Sequence, residues 1–165
     1  MGIPALADHY KTIAGHIRSG FRAKYWVPGR SLFADTYSKN SFSQHVNALA
    51  IMAGMSEGEE ARRVMERTLS DTTLVQTTIY FRYYLHQALS KAGMGDQLVD
   101  NLQIWRDQMA LGLTTWAEMP EPSRSDCHAW GASPNIELFR ILLGIRSMAP
   151  GFREIRIEPA LGDLR

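Results

Sequence analysis

Three glycines constrain what this chain can fold into. Apolar residues at helical spacing run up to Gly54, Gly93 and Gly112 and stop there. Glycine closes a helix at little steric cost, because it accepts the left-handed conformation other residues avoid. After Gly54 and Gly93 a new helix start follows almost at once, at Ser56 and Asp96. Connections that short turn consecutive helices back on one another.

The periodicity predicts six helices. The first spans Pro4 to Ala23, with Leu6, Ile13, Ile17 and Phe21 on one face. The second runs from Ser43, as N-cap, to Ala53; the third starts at a capping box formed by Ser56 and Glu59 and reaches Leu69. Thr78 to Ala92 forms the fourth, and a fifth capped by Asp96 extends to Leu111. Ser133-Pro134 opens the sixth, with Ser133 as N-cap, which reaches Ile145. Tyr25 to Asn40, with Pro28-Gly29 and no steady period, reads as a loop. Phe152 to Glu158 alternates apolar and charged residues, the pattern of a half-buried strand. The fold class is therefore all-α, with a short C-terminal β-strand. No residue-level repeat of the tetratricopeptide kind accompanies the paired helices.

Composition narrows the function. The 165 residues suit one domain or a piece of a larger one, and 45% hydrophobic content is enough for a packed core. Lys plus Arg number 18 against 17 Asp plus Glu, a net charge of +1, so neither nucleic acid nor an anionic membrane is an expected partner. No apolar run is long enough to span a bilayer, and Met1-Gly2-Ile3-Pro4 does not begin a signal peptide. Cys127 is the single cysteine, which excludes an internal disulfide and a cysteine-rich zinc site. His9, His16, His45 and His86 lack metal-ligand spacing and read as core or surface residues, so neither metal nor cofactor is expected.

Chemistry concentrates between Thr114 and Pro134. This stretch gathers Glu118, Glu121 and Asp126, the imidazole of His128, and the indoles of Trp116 and Trp130. Acidic residues in a polar loop are ordinarily just solvated. Sugar hydrolysis, however, needs this set: carboxylates for acid–base work, paired donors and acceptors for hydroxyls, and aromatic faces for the apolar side of a pyranose.

Thr114–Pro134 with the following Asn135-Ile136-Glu137-Leu138 resembles the late barrel signature of the α-L-rhamnosidases of glycoside hydrolase family 78. The ending Ala149 to Pro159 is also similar to that family, as are Ser43 to Ala50 and Tyr83 to Leu89. The resemblance implies an (α/α)6 six-hairpin toroid followed by a β-sandwich. Residues 1–148 would be the C-terminal half of the toroid and 149–165 the start of the sandwich. It implies that Glu118 is the general base of an inverting hydrolysis and that His128 contacts the sugar. Trp116 and Trp130 are candidates for an aromatic wall. Nothing here matches the family's general-acid segment, and Asp35 and Asp71 lie in the wrong context. The implied partners are thus a rhamnose-containing glycoside and the missing N-terminal half of the barrel. A half toroid alone would expose an apolar wall, for which a homodimer is the common solution.

Other residues have plainer readings. Trp105 belongs to the core. Tyr80, Phe81, Tyr83 and Tyr84 read as core first and as a cleft lining second. Gln44 and Asn47 suit either the toroid's mouth or capping and interhelical bonds. Arg62, Arg63, Glu66 and Arg67 form a solvated face. Asp126 is suited to orienting His128, binding a hydroxyl or capping the loop, and Cys127 to filling a small buried space. A competing reading of the helices is a repeat module that binds a protein on its concave face. Another keeps the toroid and changes the sugar.

Overall fold

A computed structural model of the chain describes residues 3–120 and 122–164; Glu121 lies outside the described residues. Six α-helices lie among them: α1 (Pro4–Tyr25), α2 (Gln44–Met52), α3 (Gly58–Ser70), α4 (Ile79–Lys91), α5 (Gln103–Ala110) and α6 (Pro134–Glu137). Two short antiparallel pairs accompany them, β1 (Trp26–Val27) with β2 (Leu32–Phe33), and β3 (Ile145–Ser147) with β4 (Ile155–Ile157). The helices form an open array and not a closed barrel.

The core sits where α2 packs on α3 and α4. Ala48, Ile51, Ala61, Val64, Met65, Leu85, Ala88 and Leu89 are its centre, and Leu32, Met94, Leu98 and Ile141 close it from the connections. The local signals behind α2 and α4 act as the sequence predicts. The Ser43 hydroxyl accepts from Val46 N at 3.3 Å, and Gly54 and Gly93 both take φ of +71° just past their helices.

Gln44 and Asn47 serve as internal braces, not as mouth residues. Asn47 Oδ1 accepts from Phe33 N at 2.8 Å, and its Nδ2 donates to the Phe33 and Ser43 carbonyls. Gln44 Nε2 donates to the Thr68 carbonyl, while its Oε1 accepts from the Thr77 amide and hydroxyl. The expected Tyr25–Asn40 loop thus contains a hairpin, in register Trp26 with Phe33 and Val27 with Leu32. Strands of two residues are too short to show an alternating pattern in sequence.

Four other expectations are corrected. Ser56 and Glu59 form no capping box, since the Ser56 hydroxyl donates to Glu60 at 2.7 Å and Glu57 stands at the N-cap of α3. Asp96 caps nothing; two 3-10 turns, Gly95–Gln97 and Asp100–Leu102, precede α5. Ser133 offers α6 no side-chain cap, and the helix passes into a π-turn at Leu138–Leu142. Finally, β4 is exposed along its length instead of half-buried, and its partner β3 begins at Ile145, which the sequence predicts as a helix end. Gly144 explains the break: at φ +64° a Cβ would sit 1.8 Å from the Glu158 carbonyl oxygen, so only glycine lets the two segments meet.

Helix α1 has no buried residue. Leu6, Tyr10, Ile13 and Ile17, spaced as one helical face, are all exposed. Only the C-terminal end docks, through Arg18 to the Ala53 carbonyl, Arg22 to the Met55 carbonyl, and the Arg22–Glu60 ion pair at 2.5 Å. The hydrogen bond from Arg22, helped by Ser56, holds the Glu60 carboxyl below its usual value despite partial burial. A depressed carboxyl stabilises the fold above its unfolded value, about 4.3, and that contribution is lost as pH falls through the lower folded one. Glu60→Gln is therefore expected to lower the urea midpoint at pH 7 and to leave it nearly unchanged near pH 2. An equal loss at both pH values would show that the charge is not what matters.

Candidate functional site

Between α5 and α6 the chain makes an irregular hairpin that carries the candidate site. Gly112, at φ +79°, ends α5. The outgoing limb is tied to that helix through Gln108, whose Oε1 accepts from Ala117 N at 3.0 Å. The returning limb pairs with it: Glu118 N donates to Ser125 O at 2.9 Å, and His128 N donates to Trp116 O at 2.8 Å. The Thr115 hydroxyl also donates to the Asp126 carbonyl. A 3-10 turn, Ala129–Ala132, follows, and Trp105 Nε1 holds it by donating to Gly131 O at 2.6 Å. A Cβ at Gly131 would fall 2.5 Å from Trp116 Cβ, so this glycine allows the turn to lie directly on the outgoing limb. Trp105 is accordingly core, as expected.

Glu118 lines a cleft of about 570 Å³ with Thr78, Tyr80, Met119, Arg124 and Trp130. Its side chain is 18% exposed, and Arg124, 74% exposed, grips both carboxylate oxygens from the rim. That carboxylate raises the Arg124 guanidinium above its ordinary value, mainly through the hydrogen bond. Trp130 meets Tyr80 edge-to-face at 5.8 Å, and the His128 ring packs on Trp130 at 4.3 Å, tilted by 51°. His128 Nδ1 is enclosed and has no hydrogen-bond partner among the described residues.

Of the residues singled out from sequence, Glu118 and Trp130 share the cleft, and His128 touches it through Trp130. Trp116 stands behind it, half-buried, as backing for the turn at Gly131. Asp126 is exposed and contributes its carbonyl to the hairpin; no hydrogen bond joins it to His128 among the described residues. Cys127 is exposed, contrary to the expectation of a buried filler, because the returning limb runs over the surface. Of the aromatic cluster, Phe81 packs against the core as expected, whereas Tyr80, Tyr83 and Tyr84 remain at least partly exposed, Tyr80 at 49%. Sequence reading missed Thr78, Met119 and Arg124. Only Arg124 carried a signal, as the one cation close to Glu118 in the loop. No group of His, Cys, Asp and Glu among the described residues is placed to hold a metal ion.

The same backbone arrangement occurs in solved rhamnosidases. A GH78 family rhamnosidase of Bacillus sp. GL1 superposes with a TM-score of 0.81 at 24% identity, over 93% of this chain and 18% of its own. A rhamnosidase from Klebsiella oxytoca with rhamnose bound gives 0.74 at 20% identity, over 84% of this chain and 29% of its own. This chain has the fold of a segment of those rhamnosidases. It spans less than a third of either, and its open array is a partial helical toroid with short C-terminal strands. No protein-family model and no curated protein matches the sequence.

Proposed function

We propose that this chain is part of the catalytic toroid of an inverting glycoside hydrolase that removes terminal α-L-rhamnosyl residues, with Glu118 as the general base. The observation that carries the reading is Glu118 itself, a mostly buried carboxylate in an aromatic-walled cleft, on the segment that resembles the base segment of family 78. An inverting base deprotonates a water that attacks the anomeric carbon, while an acid on the opposite ring face protonates the leaving oxygen. Arg124 keeps the carboxylate in place and yields one oxygen to that water. Trp130 and Tyr80 cover the apolar face of the sugar, and His128, packed against Trp130, contacts the sugar beside it. Fold similarity to rhamnosidases supports the sugar, and the hairpin of carboxylates and indoles weighs against a repeat module built for protein binding.

In this reading the general acid comes from outside this chain. The two carboxyls of an inverting pair stand roughly 6.5–9.5 Å apart. Among the described residues, Glu118 is the only carboxylate lining the cleft. Asp35 is engaged by Ser41 and Ser43, Asp71 by Arg30 and Glu137 by His86. The purified chain is therefore expected to release no 4-nitrophenol from its α-L-rhamnoside, even at high enzyme concentration. Turnover that depends on Glu118 in the chain alone would overturn the division of acid and base between two segments.

The N-terminal half of the toroid is the partner this reading requires, and the apolar face of α1 is where it would pack. With that half absent, a second copy covers the face. Covering about 600 Å² of apolar surface contributes on the order of 15 kcal/mol before association costs. Light scattering at micromolar concentration is expected to give a dimer that Ile13→Glu with Ile17→Glu converts to monomer. A wild-type monomer would sink this part of the proposal.

A further inference from the structure

We propose that a basic pocket at the far end of α4 binds a small aromatic dianion of the phosphate-monoester class. The site lies apart from the Glu118 cleft and does not depend on how that cleft is read. The cleft meets α4 at Tyr80, near the start of the helix, whereas this pocket meets it at Gln87, Ser90 and Lys91. At about 1.5 Å of rise per residue, Tyr80 and Lys91 stand roughly 16 Å apart along the axis. The pocket holds about 540 Å³, within the roughly 300–1,000 Å³ typical of ligand sites. Lys91, Arg140 and Arg146 line it, and among the described residues no carboxylate does.

Composition does not explain this concentration of charge. The chain carries 18 Lys and Arg against 17 Asp and Glu, so cations without an anion among them are a local arrangement. Elsewhere arginines are matched: Arg22 with Glu60, Arg30 with Asp71 and Arg124 with Glu118. Lys91 is accounted for, since it donates to the Met52 carbonyl at 2.9 Å and sits in the last turn of α4, where the helix end favours a cation. The two arginines have no such claim. Among the described residues neither has an ion-pair partner, and Arg146 reaches only Ser90 Oγ, at 3.3 Å. The β3–β4 register adds an independent observation: Arg146 stands directly opposite Arg156. Like charges so placed destabilise a strand pair, and a dianion seated on Arg146 offsets that repulsion. Guanidinium forks match phosphate oxygens in bidentate fashion, and the Ser90 and Ser147 hydroxyls and the Gln87 amide add neutral donors. Phe139 and Phe152 supply apolar walls. Phe152 keeps its ring half exposed from a backbone at φ +56°, a conformation that bulky residues rarely adopt. Two unclaimed guanidiniums beside two phenyl rings suit a doubly charged oxyanion on a flat apolar body.

Calorimetric titration of the chain with phenyl phosphate, inorganic phosphate and benzoate, at constant ionic strength, tests this. Phenyl phosphate is expected to bind about tenfold tighter than inorganic phosphate, the scale of one well-packed aromatic contact. It should also bind about tenfold tighter than benzoate, which has the ring but a single charge, the scale of one charge-assisted hydrogen bond. Arg140→Gln and Arg146→Gln should each weaken phenyl phosphate by about tenfold or more. Arg106→Gln, which removes an exposed guanidinium on α5, should leave it unchanged. Phe152→Ala should remove the advantage over inorganic phosphate while inorganic phosphate still binds, which also shows that this variant is folded. A wild-type chain that binds neither phosphate would overturn the site. So would an equal loss in Arg106→Gln, the mark of a general attraction to positive charge. Benzoate bound as tightly as phenyl phosphate would overturn the dianion class.

Discussion

Glu137→Ala is expected to destabilise the fold by about 3 kcal/mol, a large share of the roughly 5–15 kcal/mol that holds a typical domain together. Glu137 and His86 are both fully buried, and Glu137 Oε2 lies 2.8 Å from His86 Nδ1. The pair joins α4 to α6, on either side of the turn that carries Trp130. Truncating one partner strands the other in a place water cannot reach, which costs more than the bond itself contributed. The surrounding side chains also inherit a cavity. Glu137→Gln keeps the volume and an oxygen opposite Nδ1, so it should recover most of the loss. Urea unfolding of the three proteins checks this; a Glu137→Ala midpoint close to wild type would mean that the pair is incidental.

The features legible in the sequence were those that local chemistry decides. Ser43 caps α2 because its own hydroxyl reaches Val46, and Gly54 and Gly93 end their helices because of their own backbone freedom. Where a distant residue intervenes, local signals mislead. Ser56 is drawn away from a capping box by Glu60, which is itself held by Arg22 some 38 residues earlier. The β3–β4 pair depends on Gly144 meeting Glu158 across a turn, and no periodicity announces it.

The candidate site divides in the same way. The hairpin's clustering of Glu118, His128 and the tryptophans is visible as composition. That Trp116 backs the turn while Trp130 faces the cleft depends on Gly131 lying against Trp116. The tyrosines of α4 read as core because aromatic residues at helical spacing are usually buried. They are exposed because two open concavities, not another helix, face that side of α4 among the described residues.

The central claim is that Glu118 activates water. Its most direct test is the hydrolysis of 4-nitrophenyl α-L-rhamnoside by a complete toroid containing this chain, compared with the Glu118→Gln variant. The amide keeps the size of the side chain and loses the basicity. Removing general-base assistance costs roughly 10²–10⁴ in rate. The kcat of the variant is expected to fall by that much, with KM and the circular dichroism spectrum little changed. A Glu118→Gln enzyme that keeps most of its kcat would contradict it, because the cleft would then be a binding surface whose catalytic base lies elsewhere.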